Sequence, residues 1–331
     1  MTEKALIFCR TPLQALIINC LLQLINYEVV VLYCPVSNNI KHNYYFEKIK
    51  TTQKYFVARQ QWRFSDTLTD AIAWWRIPLT IRQTKFSHLL AASIGSIPFS
   101  FFAGRNKDAK IYTFDDGSFN VSLSTFSNWI NSEPVTRRLV KILFGGCNNI
   151  DMLDKVARHY TIYENKFVVG FKCPIEELNL FDDVSKQKST RKNKSVRILL
   201  GSLFSDSDIQ SRHDKILQSV KFDLILPHPS DKHNLPVVAD FLDSIEGFDP
   251  AKMIAEDLVL LLISTGFVPV TYGFNSTALI NLARHSRVIS IILDPKYNTI
   301  ASRMMSDLNI RRMFCYAKNE KLKRMITRQI A

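Results

Sequence analysis

Short apolar, strand-like runs alternate with helix-patterned stretches along this chain, and no series of hairpin turns joins one run to the next. Residues 5–9 predict a strand. Residues 12–24 predict a helix with Thr11 as N-cap and Pro12 at the first helical position, and residues 27–34 predict a second strand. Further along come a strand over 89–94, a short helix over 97–103 capped by Ser96, and a strand over 110–114. Strands separated by helical stretches pair through crossover connections, so the pattern predicts βαβ units and a mostly parallel sheet.

From residue 124 to 159 the pattern turns largely helical. Val135, Leu139, Ile142 and Leu143 fall on one helical face there, which predicts a core-facing stripe. The stretch from Lys186 to Lys194 is polar and dense in charge, the one segment of linker composition. Beyond it the alternation restarts, with strands over 196–200, 222–226, 268–272 and 288–293 and helices over 208–220, 251–263 and 276–284. The 331 residues are enough for two domains, each with its own core. The predicted division is an N-terminal domain over 1–185, a linker over 186–195 and a C-terminal domain over 196–331, without an internal sequence repeat. The fold class is α/β, two Rossmann-like parallel-sheet domains facing a central cleft. That outline describes the GT-B glycosyltransferases, and two-domain binding proteins share it.

A hydrophobic content of 47% with ordinary Gly and Pro excludes a disordered or fibrous chain. The formal charge of +13 directs the search for partners toward anions. Basic residues concentrate in 186–194 and 311–328, but neither stretch interleaves aromatics with them, and no zinc-finger or RNP-like motif is present. Nucleic acid is therefore the weakest of three partner classes, behind anionic membranes and phosphorylated or acidic small molecules. Six cysteines without a CxxC pair predict free thiols in a reducing compartment, not disulfides or zinc ligands. No signal-peptide pattern is present, and the apolar window 89–103 is too short and too punctuated by Ser, Gly and Pro to span a bilayer. The expected location is cytoplasmic. Residues 319–330 form a basic, weakly amphipathic segment, with Leu322, Met325, Ile326 and Ile330 along one side, suited to peripheral contact with the inner face of the membrane.

Three segments of the second domain follow predicted strands, at the edge where open α/β sheets bind ligands. They are Gly201-Ser202-Leu203-Phe204-Ser205-Asp206, Pro227-His228-Pro229 and Tyr272-Gly273-Phe274-Asn275-Ser276-Thr277. The two prolines restrict the backbone around His228. With an ordinary pKa of about 6.5, that imidazole is suited to protonating a departing phosphate oxygen, or it bridges buried backbone in a purely structural role. Ser276 and Thr277 open a helix, where free backbone NH groups and two hydroxyls meet a phosphate or simply cap the helix. In the first domain Asp115 and Asp116 follow a strand and precede Gly117; such a pair serves as base, binds sugar hydroxyls, holds a divalent cation, or forms a turn. No DxD with apolar flanks is present, which disfavours a metal-dependent nucleotide-sugar site.

Taken in order, Thr11-Pro12-Leu13-Gln14, Phe114-Asp115-Asp116-Gly117, His228-Pro229 and Phe274-Asn275-Ser276-Thr277-Ala278-Leu279 resemble bacterial sialyltransferases. The resemblance is strongest to the lipooligosaccharide sialyltransferases of glycosyltransferase family 52. It implies a GT-B fold whose C-terminal domain binds CMP-sialic acid and whose N-terminal domain helps form the acceptor side, with a galactose-terminated glycan as acceptor. It also implies inverting transfer without a metal or other cofactor. His228 would be the general acid toward the CMP phosphate, and Asn275, Ser276 and Thr277 would hold that phosphate. Asp206, upstream of the His-Pro motif, is the position the resemblance selects as general base. Asp116 is the alternative base, because related sialyltransferases draw theirs from an Asp-Asp-Gly motif, and Asp208 is a third. Gly201, Ser202, Pro229 and Asp115 complete the expected substrate contacts. Two rival readings keep their place: a hexosyltransferase using a UDP-sugar, and a basic non-enzymatic protein that binds nucleic acid. The sequence leaves the acceptor, the linkage and a homodimer open.

Overall fold

Two mostly parallel sheets, one in each half of the chain, account for the strand and helix alternation. The computed structural model describes residues 3–35, 37, 39–58, 66–117, 132–180, 194–201, 221–227, 236–273, 276–283, 285, 288–292 and 313–315. The chain divides into two units, Met1–Leu180 and Phe181–Ala331. The segments 186–193 and 208–220, expected as linker and helix, lie outside the described residues.

The first unit runs β1 (Lys4–Cys9), α1 (Pro12–Leu24), β2 (Glu28–Tyr33), α2 (Ile40–Lys48), β3 (Lys54–Phe56), α3 (Asp66–Arg76), α4 (Leu79–Gln83), β4 (His88–Ala91), α5 (Ile97–Arg105) and β5 (Lys110–Phe114). It continues with α6 (Val135–Leu143), α7 (Asn149–Asp154), β6 (Val156–Thr161) and β7 (Ile175–Glu177). Its seven strands lie in the order β3-β2-β1-β4-β5-β6-β7, every neighbouring pair parallel. The order reverses direction between β1 and β4, which opens a crevice outside the carboxyl ends of those strands. Helix α1 starts where the sequence predicts: the Thr11 hydroxyl accepts the Gln14 N–H at 3.3 Å, and Pro12 begins the first turn. Leu6, Phe8, Leu32, Leu89 and Ile111 line one sheet face and pack against Trp74, Phe99, Phe101 and Phe102 of α3 and α5.

The second unit runs β8 (Ser195–Leu200), β9 (Leu224–Leu226), β10 (Val237–Val238), α8 (Asp240–Asp243), α9 (Ala255–Ser264), β11 (Val268–Gly273), α10 (Thr277–Ala283), β12 (Ile289–Ile292) and β13 (Met313–Cys315). The order β10-β9-β8-β11-β12-β13 repeats the reversal of the first sheet, now between β8 and β11. Only β10 departs from parallel pairing, lying antiparallel to β9 at the sheet edge. Buried Leu258, Leu262 and Val259 of α9 supply core, and the buried Asn281 amide donates to Glu256 Oε1 at 2.8 Å, tying α10 to α9.

Two expectations for the stretch 124–159 are corrected. Residues 156–161 form the strand β6 where the pattern suggested helix. Its polar His159 and Thr161 point inward to buried partners, which removes the apolar alternation that marks a strand. The second correction concerns α6: Val135, Leu139, Ile142 and Leu143 are 52–77% exposed instead of forming core. The helix is turned so that Arg137 and Lys141, on its opposite face, reach Asp70, Glu133 and Asn149.

Gly104 of α5 lies so close to the turn after α6 that a Cβ there would stand 1.8 Å from the Gly145 carbonyl oxygen. That obstacle is backbone, which cannot rotate away as a side chain can. Gly104→Ala is expected to cost about 1–3 kcal/mol, the range of a forced overpacking, read as a lower denaturant midpoint. An unchanged midpoint would show that α5 and that turn are not packed this closely.

Candidate active site

At the crevice of the first unit the turn from β1 into α1 carries Arg10, Thr11 and Gln14. Gln14 is a buried amide in an otherwise apolar helix face, and it is used at both ends. Its Oε1 accepts the Arg10 N–H at 2.7 Å, and its Nε2 donates to Asp116 Oδ1 at 2.6 Å. Asp116 leaves the end of β5, so one side chain links the strand ends of β1 and β5 across the sheet. Desolvation pushes the Asp116 carboxyl above the usual aspartate range, opposed by the Gln14 hydrogen bond and the nearby Arg10 charge. A half-buried carboxylate with a raised pKa is a better proton acceptor than a solvated one. Gly117 follows at φ 69°, a conformation in which a Cβ would be strained, and this turns the chain away from the strand.

Asp115 has a different part. It is fully buried, and its oxygens accept from Thr161 Oγ1 at 2.8 Å, the Ile162 N–H at 2.6 Å and His159 Nε2 at 3.1 Å. Thr113 Oγ1 meets the other nitrogen of the same imidazole at 2.8 Å. The expected substrate contact at Asp115 is therefore replaced in this geometry by a joint between β5 and β6, which leaves Asp116 as the carboxylate of the pair facing the crevice.

Behind the crevice lies an ion cluster that sequence reasoning did not identify. Asp70 of α3 is buried, with Arg10 Nη2 at 3.1 Å from one oxygen and Arg137 Nη2 of α6 at 2.5 Å from the other. The partners lie far apart in sequence, so no local signal pairs them. Gln14 did carry a signal, as a polar residue interrupting an apolar helix.

In the second unit the strands β9, β8 and β11 are adjacent, and the three motif segments depart from their carboxyl ends. Gly201 donates its N–H to the Leu226 carbonyl at 2.7 Å, and Gly273 is in register with Leu200. A Cβ on Gly273 would meet Leu279 Cδ1 at 2.9 Å, so glycine allows α10 to sit tight against the strand end. Ser276 precedes α10, its carbonyl accepting the Leu279 N–H at 3.1 Å, and Thr277 is exposed in the first turn. Ser202, Asp206, Asp208, His228, Pro229 and Asn275 lie outside the described residues.

Among the described residues Cys9, Cys20, Cys34, Cys147 and Cys173 form no disulfide. Burial raises the Cys34 thiol to about 12 and pushes Cys9 well above its ordinary value, so neither is a nucleophile for this crevice. Among the described residues no cluster of three or more His, Cys, Asp or Glu is placed to hold a metal ion.

Known proteins resemble this chain in sequence and in fold. The family model described as glycosyltransferase family 52 matches residues 27–297, reaching into both units. A Pasteurella multocida protein named CMP-N-acetylneuraminate:beta-galactoside alpha-2,3-sialyltransferase is 25% identical over 293 residues, 87% of this chain and 90% of the relative. A Neisseria meningitidis N-acetyllactosaminide alpha-2,3-sialyltransferase is 24% identical over 245 residues, 70% of this chain and 64% of the relative. The solved structure of apo UGT2 from Phytolacca americana covers 99% of this chain and 90% of its own, with a TM-score of 0.50 and 9% identity. At that identity the likeness is one of fold, and the fold is α/β of the GT-B class.

Two substitutions separate the roles of the paired carboxylates. The folded-state pKa of Asp116 lies above its unfolded value, so its burial favours folding in acid and costs stability as pH rises through the folded value. Asp116→Asn is therefore expected to raise the unfolding midpoint at pH 7, a gain that fades as the pH falls through the raised folded value and is gone below the ordinary aspartate value of about 3.9. Asp115→Asn places an NH₂ against donors and should lower stability by about 3 kcal/mol in the same titration. A midpoint at pH 7 that Asp116→Asn leaves unmoved would count against the desolvated carboxylate described here.

Proposed function

The chain belongs to glycosyltransferase family 52 and is a glycosyltransferase, and on that premise we propose that it transfers sialic acid from CMP-sialic acid to a terminal β-galactoside of a lipooligosaccharide or related surface glycan. The observation that carries this reading is the family match over 27–297, supported by relatives named as alpha-2,3-sialyltransferases. Those names favour an α-2,3 linkage.

In the proposed reaction the acceptor hydroxyl oxygen attacks the anomeric carbon while the bond to the CMP phosphate breaks, with inversion. A carboxylate takes the hydroxyl proton, and His228 assists the departing phosphate from the other side as general acid. Asp206 is the base that the family resemblance selects. Asp116 has a physical argument of its own in its raised pKa and its tether to Gln14. Gly201, Ser202, Pro229, Asn275, Ser276 and Thr277 are proposed to hold the nucleotide. No step needs a metal or another cofactor.

The proposed setting is cytoplasmic, with peripheral contact at the anionic inner membrane face through residues 319–330, which lie outside the described residues. Among the described residues no helix is long and apolar enough to cross a membrane. A homodimer is compatible with this reading.

Purified protein is expected to release CMP from CMP-sialic acid when a galactoside is present, with EDTA in the buffer. No release over a panel of galactosides would overturn the reading. CMP should raise the unfolding temperature and UDP should not, the reverse marking a UDP-sugar enzyme. His228→Ala should abolish transfer while CMP still stabilises the protein. Of Asp206→Asn and Asp116→Asn, the variant at the base should lose about 10²–10⁴-fold in kcat, and the other should keep most of it.

A further inference from the structure

Parallel strands in the middle of a sheet are usually apolar on both faces, because helices cover each. The first sheet departs from this on one side. Leu89, Ile111 and Val156 point to the face packed by α3 and α5, so the alternate residues Leu90 and Tyr112 point to the other. Leu90 is in register with Tyr112 and Tyr112 with Arg158, a row across β4, β5 and β6. Arg158 joins that row through a shift of register: Ile111 pairs with Val156 and Tyr112 with Arg158, which makes Ala157 an extra residue on β6. Such a bulge re-aims the side chains beyond it. Without it, Arg158 and Tyr160 would share the face of Val156.

These side chains line a pocket of about 280 Å³. Leu24 and Ile25, where α1 ends, give it an apolar side together with Leu90, and Asn26, Tyr27, Tyr112, Arg158 and Tyr160 give it a polar one. It is separate from the crevice. Gln14 meets Asp116 at the start of α1, whereas the pocket lies beside Leu24, ten residues or about 15 Å further along the helix. The polar side is held in place by a ladder of rings. Tyr27 stacks on His88 at 4.0 Å between ring centres, His88 lies 5.7 Å from Tyr112, and Tyr112 lies 6.3 Å from Tyr160. Side chains fixed in this way have little freedom left to lose when a ligand binds.

The lining chooses the ligand. Arg158 is the one charged residue among those that line the pocket, and Glu176 Oε2 pairs with its Nη1 at 2.5 Å. A phosphate or carboxylate would therefore meet no uncompensated cation. A wholly apolar ligand would leave the phenols, the amide and the guanidinium unpaired. Those groups supply donors and acceptors for hydroxyls, and the three aliphatic side chains supply a surface for C–H groups. A neutral sugar ring, with hydroxyls at its rim and C–H groups on its face, matches both sides.

We propose that this pocket is a second saccharide site, which takes a neutral hexose unit of a glycan outside the crevice. This deepens the proposed use of a glycan acceptor and rests on that reading for the source of the sugar, whereas affinity for the ring is a property of the pocket alone. A glycan held here through a unit that does not react is kept at high effective concentration near the enzyme.

The test is carbon-13 NMR of the full chain labelled on its tyrosine rings, with resonances assigned from Tyr27→Phe, Tyr112→Phe and Tyr160→Phe. Lactose and maltose at millimolar concentration, with no donor present, should shift the Tyr112 and Tyr160 resonances. Sodium phosphate and free sialic acid at the same concentration should not. Asn26 and Arg158 are exposed, so their substitution spares the fold. Asn26→Ala and Arg158→Gln should each weaken sugar binding about fivefold, the worth of one hydrogen bond. Transfer to a short soluble galactoside should be unchanged in both variants. No shift in wild type with either sugar, equal shifts with phosphate, or binding that both variants leave intact overturns the proposal. Sugar-dependent shifts in a chain that releases no CMP would support the pocket and overturn the transferase reading, so the two failures are told apart.

Discussion

The carboxyl group of Asp115 sits where no water reaches it, and the carboxyl edge of the first sheet is arranged around satisfying it. Period-two alternation puts His159 and Thr161 of β6 on the same side of the strand, so both side chains reach across to Asp115, and the Ile162 N–H completes the set. Removing the carboxyl would orphan three donors at once. With Asp115 fixed, the next residue must leave the sheet, and Gly117 completes the turn. The position of Asp116 at the crevice, and its hydrogen bond to Gln14 on the far side of the reversal point, both follow from that buried joint.

A second cluster extends this logic outward. Arg10 ties the β1 end to Asp70, Asp70 ties α3 to Arg137, and Arg137 fixes the rotation of α6. Burying several charges is costly, and such clusters often contribute little net stability. Here the arrangement sets geometry: it holds a helix with its apolar stripe outward, against the hydrophobic preference. The crevice and the exposed patch are thus joined through Asp116, Gln14, Arg10, Asp70 and Arg137, the Gln14 side chain accepting the Arg10 backbone N–H and the Arg10 side chain pairing with Asp70.

Much of this was legible in the sequence where local physics decides. Thr11-Pro12 and Ser96 cap their helices as their chemistry predicts, and the two rounds of strand and helix gave the paired sheets. The sequence was misleading where distant partners decide. An apolar stripe at helical spacing normally marks core, and α6 departs from that because Asp70 lies on a helix far away in the chain. β6 was hidden because its inward residues are polar and matched to Asp115. The short β3, β7, β10 and β13 carry too few residues for a period to register. At the site, Asp116 was named from its place after a strand, whereas the exclusion of Asp115 from the crevice needed the identity of its buried donors.

The borders of the first sheet have a bearing on how the chain is made. Both outer strands are three residues long. Lys54 of β3 donates to the carbonyls of Phe46 and Glu47, and β7 ends in Glu176 and Glu177, so neither border offers a long apolar template to another chain. All seven strands fall before residue 178. A ribosome that has released the first unit has therefore released every described strand of that sheet, which can close before the second unit emerges.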